Sequence, residues 1–301
     1  MANGLIIIHK PQDWTSMDVC AKLRGAFHEK RVGHAGTLDP MATGVLPVFV
    51  GRCTRAVQFA ETGEKEYIAG LRLGLTTNTQ DTSGQILEEH PVQVSREELE
   101  AVLGRFRGEI GQVPPMYSAV KIGGKKLYEL ARKGVEVERK ERRVTIHALE
   151  LAEGLTPAFT PLPIGPAELS GHYFLRVRCS KGTYIRTLCH DIGQALGCGG
   201  CMSALLRSSA CGFSLTEALP LHAVIESSDP EALLRPVDAL FQDRPALTAN
   251  AGQAQRLRHG NPIPWQGKDG EYRVYGPQGE FLLLGELKRG RLTTIKSFFE
   301  V

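Results

Sequence analysis

Residues 31–47, RVGHAGTLDPMATGVLP, hold an arrangement that reads as prepared for chemistry. Gly33, Gly36 and Gly44 permit close approach and backbone conformations that bulkier residues forbid, and Pro40 biases Asp39 toward an extended backbone. A single carboxylate is thereby displayed on a shaped loop. Such an acid can serve as a nucleophile or as a general base. A structural Asp in a turn has the same local wording. The stretch lacks the GxxxxGK[ST] pattern of a phosphate-binding loop, and no GxGxxG follows a strand, so nucleotide cofactors are not indicated. A glycosidase needs two carboxylates flanking the bond, and this loop supplies one.

The elements that must position Asp39 follow from hydrophobic period and punctuation. Residues 5–8 read as a short buried strand ended by Lys10 and Pro11. Thr15 and Asp18 form a capping box that opens a helix, with Val19, Cys20, Leu23 and Phe27 on one face. Residues 45–50 form an apolar strand, and Tyr67, Ala69, Leu71 and Leu73 alternate with Ile68, Gly70 and Arg72 as in a half-buried strand. Ser95 and Glu98 cap a further helix carrying Leu99, Val102 and Leu103. Loops rich in Gly, Thr and Pro occupy residues 33–44, 76–84 and 155–166, the last as a surface excursion. A strand at 173–179, a helix at 184–196 and a strand near Leu205 come next. Helices and strands thus interleave without a repeating βαβ period, which predicts an α+β fold. Composition shifts near Pro245, after which residues 272–275, 281–284 and 292–298 read as strands of a small β domain joined by glycine turns.

The chain has 301 residues, 42% of them hydrophobic, enough for one large and one small domain. A net charge of only +3 means that any nucleic-acid role must come from local clustering. One cluster spans residues 121–143, where nine Lys or Arg face four Glu beside Tyr117 and Tyr128. It is either a solvated helix face or a phosphate-tracking surface. The seven cysteines are an odd count and read as free thiols in a reducing compartment. Cys198 and Cys201 form a CxxC, but a closed zinc site needs two further ligands and no second CxxC supplies them, so no metal is expected. The longest uncharged stretch, residues 192–206, is broken by glycines and falls short of the ~18 apolar residues a membrane span needs. The N-terminal apolar run is too short for a signal peptide, and a cytoplasmic address follows.

The Asp39 loop resembles the catalytic motif of the TruB family of tRNA pseudouridine synthases. Further segments agree in order. HKPQDWTS at 9–16 is similar to the family's leading element, with Asp13 where glycine is usual, and Asp tolerates a left-handed backbone better than most residues. KEYIAGLRLG at 65–74 resembles the strand carrying the active-site tyrosine, here Tyr67. PPMYSAVKIGGKKLYELARKG at 114–134 resembles the Tyr-Ser-Ala-x-Lys segment and its following helix, and KGTYIRTL at 181–188 the motif supplying an arginine, Arg186, and an aromatic, Tyr184. LLRSSACGF at 205–213 resembles the lining of the uracil pocket, with Leu206 where the first arginine of a pair is usual. The C-terminal segment resembles a PUA domain, an RNA-binding module.

The resemblance implies a pseudouridine synthase fold over residues 1–243, a mixed and largely antiparallel sheet with flanking helices, and a PUA-like β-barrel over 244–301. It implies cofactor-free isomerisation of uridine to pseudouridine at position 55 in the T-loop of tRNA. Asp39, Tyr67 and Arg186 would be catalytic, with Arg186 favouring the ionised form of Asp39. Lys10, His34, Lys65, Tyr184 and Leu205 would contact the substrate nucleotide, which must be flipped out of its stack. His34 would fill or brace the vacated space, and Lys121, Lys125, Lys126 and Arg132 would follow the backbone of the T-arm stem-loop. The protein is expected to act as a monomer, without guide RNA. Two competing readings are a noncatalytic tRNA-binding or RNA-folding protein and a guide-RNA-dependent relative of the dyskerin type.

Overall fold

A computed structural model describes residues 2–153 and 171–299. The excursion expected at 155–166 lies outside the described residues. The run of Leu5, Ile6, Ile7 and Ile8 is buried throughout in β1 (Gly4–Lys10). Thr15 caps α1 (Ser16–Ala26): its hydroxyl accepts from the Asp18 amide while the Asp18 carboxylate accepts from the Thr15 amide, the reciprocal pairing read from the sequence. β2 (Val32–His34), β3 (Thr43–Val50), α2 (Val57–Ala60) and β4 (Lys65–Leu73) follow. β2 takes up the beginning of what reads as one long loop, because its residues pair with the end of β3.

β5 (Leu75–Thr77) and β6 (Ile86–Glu89) form a separate hairpin, and Ser95 with Glu98 caps α3 (Arg96–Arg105), which buries Leu99 and Leu103. Then come β7 (Gly108–Gln112), a small hairpin of β8 (Lys121–Ile122) and β9 (Lys125–Lys126), α4 (Leu127–Ala131), β10 (Arg142–Leu151) and β11 (His172–Cys179). α5 (Ile185–Ala195), β12 (Gly200–Ala210), β13 (Phe213–Ser214), β14 (Leu219–Pro220) and α6 (Leu221–Ile225) complete the larger unit.

Its strands form a ten-stranded sheet in the order β14-β1-β3-β12-β4-β11-β10-β7, with β2 on β3 and β13 on β12. Among the described residues its pairs are antiparallel except β1 with β14 and β3 with β12, the α+β arrangement expected. β12 is decisive for function. It sits between β3 and β4, placing Arg207 opposite Gly44 on one side and opposite Tyr67 on the other.

The C-terminal unit contains β15 (Ala246–Thr248), α7 (Ala251–Arg258), β16 (Ile263–Pro264), β17 (Gly270–Tyr275), β18 (Phe281–Lys288) and β19 (Arg291–Ser297). Its five-stranded sheet runs β15-β17-β18-β19-β16. Three of these strands are legible in the sequence, whereas α7 is not. AGQAQRLR buries only Ala254 and Leu257, too sparse a stripe for the hydrophobic period to register, and the helix begins because Asn250 and Gln253 cap it. Phe241 packs against Phe59, Phe281 and Phe298, so the two units share one apolar cluster. Among the described residues no helix is long and apolar enough to cross a membrane.

Candidate active site

Asp39 lies between β2 and β3 on a loop held from several sides. The Pro40 carbonyl accepts from the Asp13 amide at 2.8 Å, and Asp13 adopts the left-handed backbone anticipated for it, with φ 63°. The Ser16 hydroxyl accepts from the Leu38 amide at 2.9 Å. Lys10 is fully buried, and its ammonium donates to the carbonyls of Pro11 at 2.8 Å, Trp14 at 2.5 Å and Pro40 at 3.1 Å. All three protons of a residue expected at the substrate are thus committed to the backbone, one of them beside Asp39. Burial pulls Lys10 down to about 8, against the attraction of Asp13 and Asp39.

Gly44 ends this loop with φ 102°, and a Cβ there would lie 2.3 Å from the Arg207 carbonyl oxygen. The close pairing of β3 and β12 therefore requires glycine. Gly44→Ala is expected to lower stability by at least ~2 kcal/mol, measured by denaturant unfolding. A variant as stable as the parent would show that the strands can separate without cost.

Arg186, in the first turn of α5, grips Asp39 by both oxygens, with Nε 2.9 Å from Oδ2 and Nη2 3.2 Å from Oδ1. The same guanidinium donates to the carbonyls of Tyr117 at 2.7 Å and Thr79 at 3.1 Å, and it lies 3.7 Å from the Asp81 carboxylate. Asp81 is fixed in turn by the Thr79 hydroxyl at 2.7 Å and the Ser83 amide at 3.0 Å. The start of α5 is set by Gln112, whose side-chain amide donates to the Tyr184 carbonyl at 3.2 Å and accepts from the Tyr184 amide at 3.0 Å. The Arg186 side chain is 7% exposed and that of Asp39 37% exposed, so the base of the pair is enclosed while the acid faces outward.

Burial pushes the Asp39 carboxyl above the ordinary aspartate value; Arg186 pulls it down, the Asp81 charge adds to the rise, and Lys10 opposes it. Arg186 acts in the anticipated direction, but desolvation outweighs it. The desolvation comes from the inner side of the pair, where the side chains of Arg186 and Asp81 are enclosed.

Tyr67 is buried in one apolar cluster with Leu38, Ala42 and Leu205, which brings the tyrosine, the loop and the pocket-wall leucine together. Burial pushes its phenol upward, while the Arg207 guanidinium beside it pulls down. His34 is partly buried, its Nδ1 has no partner among the described residues, and burial, then Arg207, lowers its pKa. Lys65 donates to the carbonyls of Gly63 at 3.0 Å and Glu61 at 3.5 Å, so its ammonium, like that of Lys10, serves backbone groups.

The basic segment is not one helix face. Lys121 and Lys125 are exposed on the hairpin whose turn is Gly123 and Gly124, both at positive φ, and only Leu127–Ala131 is helical. Lys126 and Arg132 place their cations 5.4 and 5.3 Å from the centre of the Tyr128 ring. Through the Tyr117 carbonyl, the chain leading into this hairpin is tied to Arg186. Cys198 and Cys201 are both buried, and among the described residues no group of three or more His, Cys, Asp or Glu is placed to hold a metal ion.

Sequence reasoning passes over three residues that the structure puts at this site: Asp81, Gln112 and Arg207. Asp81 and Gln112 carry no local signal. Arg207 has one, being the lone charge in the strand GCMSALLRSSA.

A family model described as TruB family pseudouridylate synthase (N terminal domain) matches residues 24–185. One described as tRNA pseudouridylate synthase B C-terminal domain matches residues 186–242, and one described as Pseudouridine synthase II TruB, C-terminal, matches residues 245–294. The chain is 44% identical over 296 residues to the tRNA pseudouridine synthase B of Azoarcus sp. (strain BH72), covering 97% of this chain and 93% of the relative. It is 45% identical over 289 residues to the protein of the same name from Syntrophomonas wolfei subsp. wolfei (strain DSM 2245B / Goettingen), covering 94% and 93%. Among solved structures, a chain in the crystal structure of a Cbf5-Nop10-Gar1 complex is similar with a TM-score of 0.71 and 25% identity, covering 98% of this chain and 84% of that one.

Proposed function

Because this chain belongs to the TruB family of pseudouridylate synthases, we propose that it isomerises uridine to pseudouridine at position 55 in the T-loop of tRNA. Its larger sheet has the pseudouridine synthase fold and its C-terminal sheet is PUA-like; residues 1–243 form the catalytic domain and 244–301 the RNA-binding one. The observation that carries the reading is a carboxylate, Asp39, held on both oxygens by an enclosed guanidinium while it faces the surface.

The reaction breaks the bond from ribose C1′ to uracil N1, turns the base and joins C1′ to C5. A proton leaves C5 and one is gained at N1. No group is imported and nothing is oxidised. Asp39 serves as the carboxylate at the sugar, by attack at C1′ or by taking a proton from C2′. Both routes use its anion, which the Arg186 fork favours against burial. The flipped uracil lies against Tyr67, Tyr184 and Leu205, with His34 bracing the vacated stack. The exposed hairpin lysines, with Tyr128 and Arg132, follow the phosphates of the T-arm. The protein acts as a monomer and needs no guide RNA.

The test is incubation of the purified protein alone with unmodified tRNA transcript, followed by carbodiimide mapping. One new pseudouridine at position 55 is expected, and its absence, or modification only when a guide RNA is added, removes the proposal. Binding of the same transcript should weaken steeply with salt, and a flat response would separate the hairpin from phosphate recognition.

A further inference from the structure

Arg207 heads the largest fully buried side chains among the described residues, and its ion-pairing needs are unmet. Among the described residues no carboxylate lies within ion-pair distance of it. Nε donates to the Val45 carbonyl at 2.7 Å and Nη2 to the Gly36 carbonyl at 2.9 Å, so one guanidinium clasps both ends of the loop that carries Asp39. Nη1 is buried and, among the described residues, makes no hydrogen bond of ordinary geometry. A Cβ at Gly36 would lie 3.2 Å from Nη1 and 3.2 Å from Lys65 Cε, so glycine leaves the guanidinium its place under the loop.

Two neutral carbonyls could be held by an uncharged side chain, and a cation buried without a counter-charge is costly. The unmatched charge makes the space around it favourable for an anion. Arg207 stands directly opposite Tyr67 across the β12–β4 pair, and cross-strand partners share a face of the sheet.

We infer that Arg207 is a positioning residue that fixes the Asp39 loop and offers its free Nη1–H to the Tyr67 oxygen as that oxygen takes on negative charge. This rests on the function proposed above. In the late step the phenol gives its proton to solvent and the phenolate accepts the C5 proton. The C5–H electron pair returns to the ring, and N1 gains a proton from solvent. Arg207 stabilises the oxygen between the two transfers. The downward pull of Arg207 on the buried phenol has the sign this role requires.

The test pairs Arg207→Lys and Arg207→Gln with Tyr67→Phe. Arg207→Lys is expected to lower kcat about 10- to 100-fold with KM for tRNA changed less than roughly two-fold. In the Tyr67→Phe background the same substitution should cost much less, because its partner is already gone. The Tyr67 ionisation, read as the ultraviolet difference between each protein and its Tyr67→Phe counterpart, should move to higher pH in Arg207→Gln. Equal losses in both backgrounds, or an unmoved titration, overturn the inference. Should neither variant fold, the guanidinium resonance of Arg207 in the wild type decides: it shifts in Tyr67→Phe if the contact is made and stays fixed if it is not. A wild type that folds and titrates in this way but modifies no tRNA would remove the proposed function and leave the contact standing.

Discussion

Asp39→Asn is expected to lose turnover by on the order of 10⁴-fold or more while binding tRNA as the wild type does. Asparagine has the same shape but can neither attack a sugar carbon nor take a proton. The loop should survive the change, because its grip comes from Lys10 on the Pro40 carbonyl, Ser16 at Leu38 and Arg207 at Gly36 and Val45, none of which uses the carboxylate. Affinity should survive because phosphate contacts set it, and removing one negative charge cannot weaken them. The effect on folding is a contest. Asp39 has a raised folded pKa, so its ionised form costs stability above the unfolded value, and asparagine lifts that cost. Against this, Arg186 loses its nearest counter-charge and keeps Asp81 at 3.7 Å. Single-turnover product formation, filter binding and a thermal melt measure the three effects. Activity within about 100-fold of wild type would leave the acid without its assigned role.

Arg186→Lys should lower kcat by about 10² to 10³ and displace the acid limb of the pH profile upward. Lysine carries the charge but not the fork. One ammonium cannot reach both Asp39 oxygens together with the Tyr117 and Thr79 carbonyls, which the guanidinium does at 2.7 to 3.2 Å. The sign is fixed by the balance at Asp39. Burial raises its pKa and Arg186 is the foremost group lowering it, so weakening that partner leaves burial less opposed. The wild-type acid limb should therefore lie above the ordinary aspartate value, and that of Arg186→Lys higher still. At pH values above both limbs, the part of the deficit due to protonation disappears and the part due to lost geometry remains. Profiles of kcat/KM for the two proteins check this, and a limb that moves down or not at all would mean that Asp39 is not the group being titrated.

What is local in this chain stands apart from what is not. Capping by Thr15 with Asp18 and by Ser95 with Glu98 spans three residues, so the chain carries it in full. The left-handed turn at Asp13 and the display of Asp39 ahead of a proline are local as well. Strands at 272–275 and 281–284 announce themselves by apolar runs between glycine turns, because period and punctuation are short-range properties, and the structure extends them to 270–275 and 281–288. The partnership of Asp39 with Arg186 was legible only through resemblance, since 147 residues separate them.

The tertiary structure alone decided the rest. Arg207 reaches carbonyls 162 and 171 positions away because β12 slots between β3 and β4 in one register. That register is written in no single segment. Lys10 and Lys65 read as ligand-seeking cations, yet their ammonium groups end on carbonyls, a matter of which backbone groups the packing leaves open. The direction of the Asp39 shift belongs here too. Resemblance named Arg186 as the charge beside this acid, but only packing brings Asp81 to it and sets how much water is excluded, and desolvation outweighs the neighbouring guanidinium.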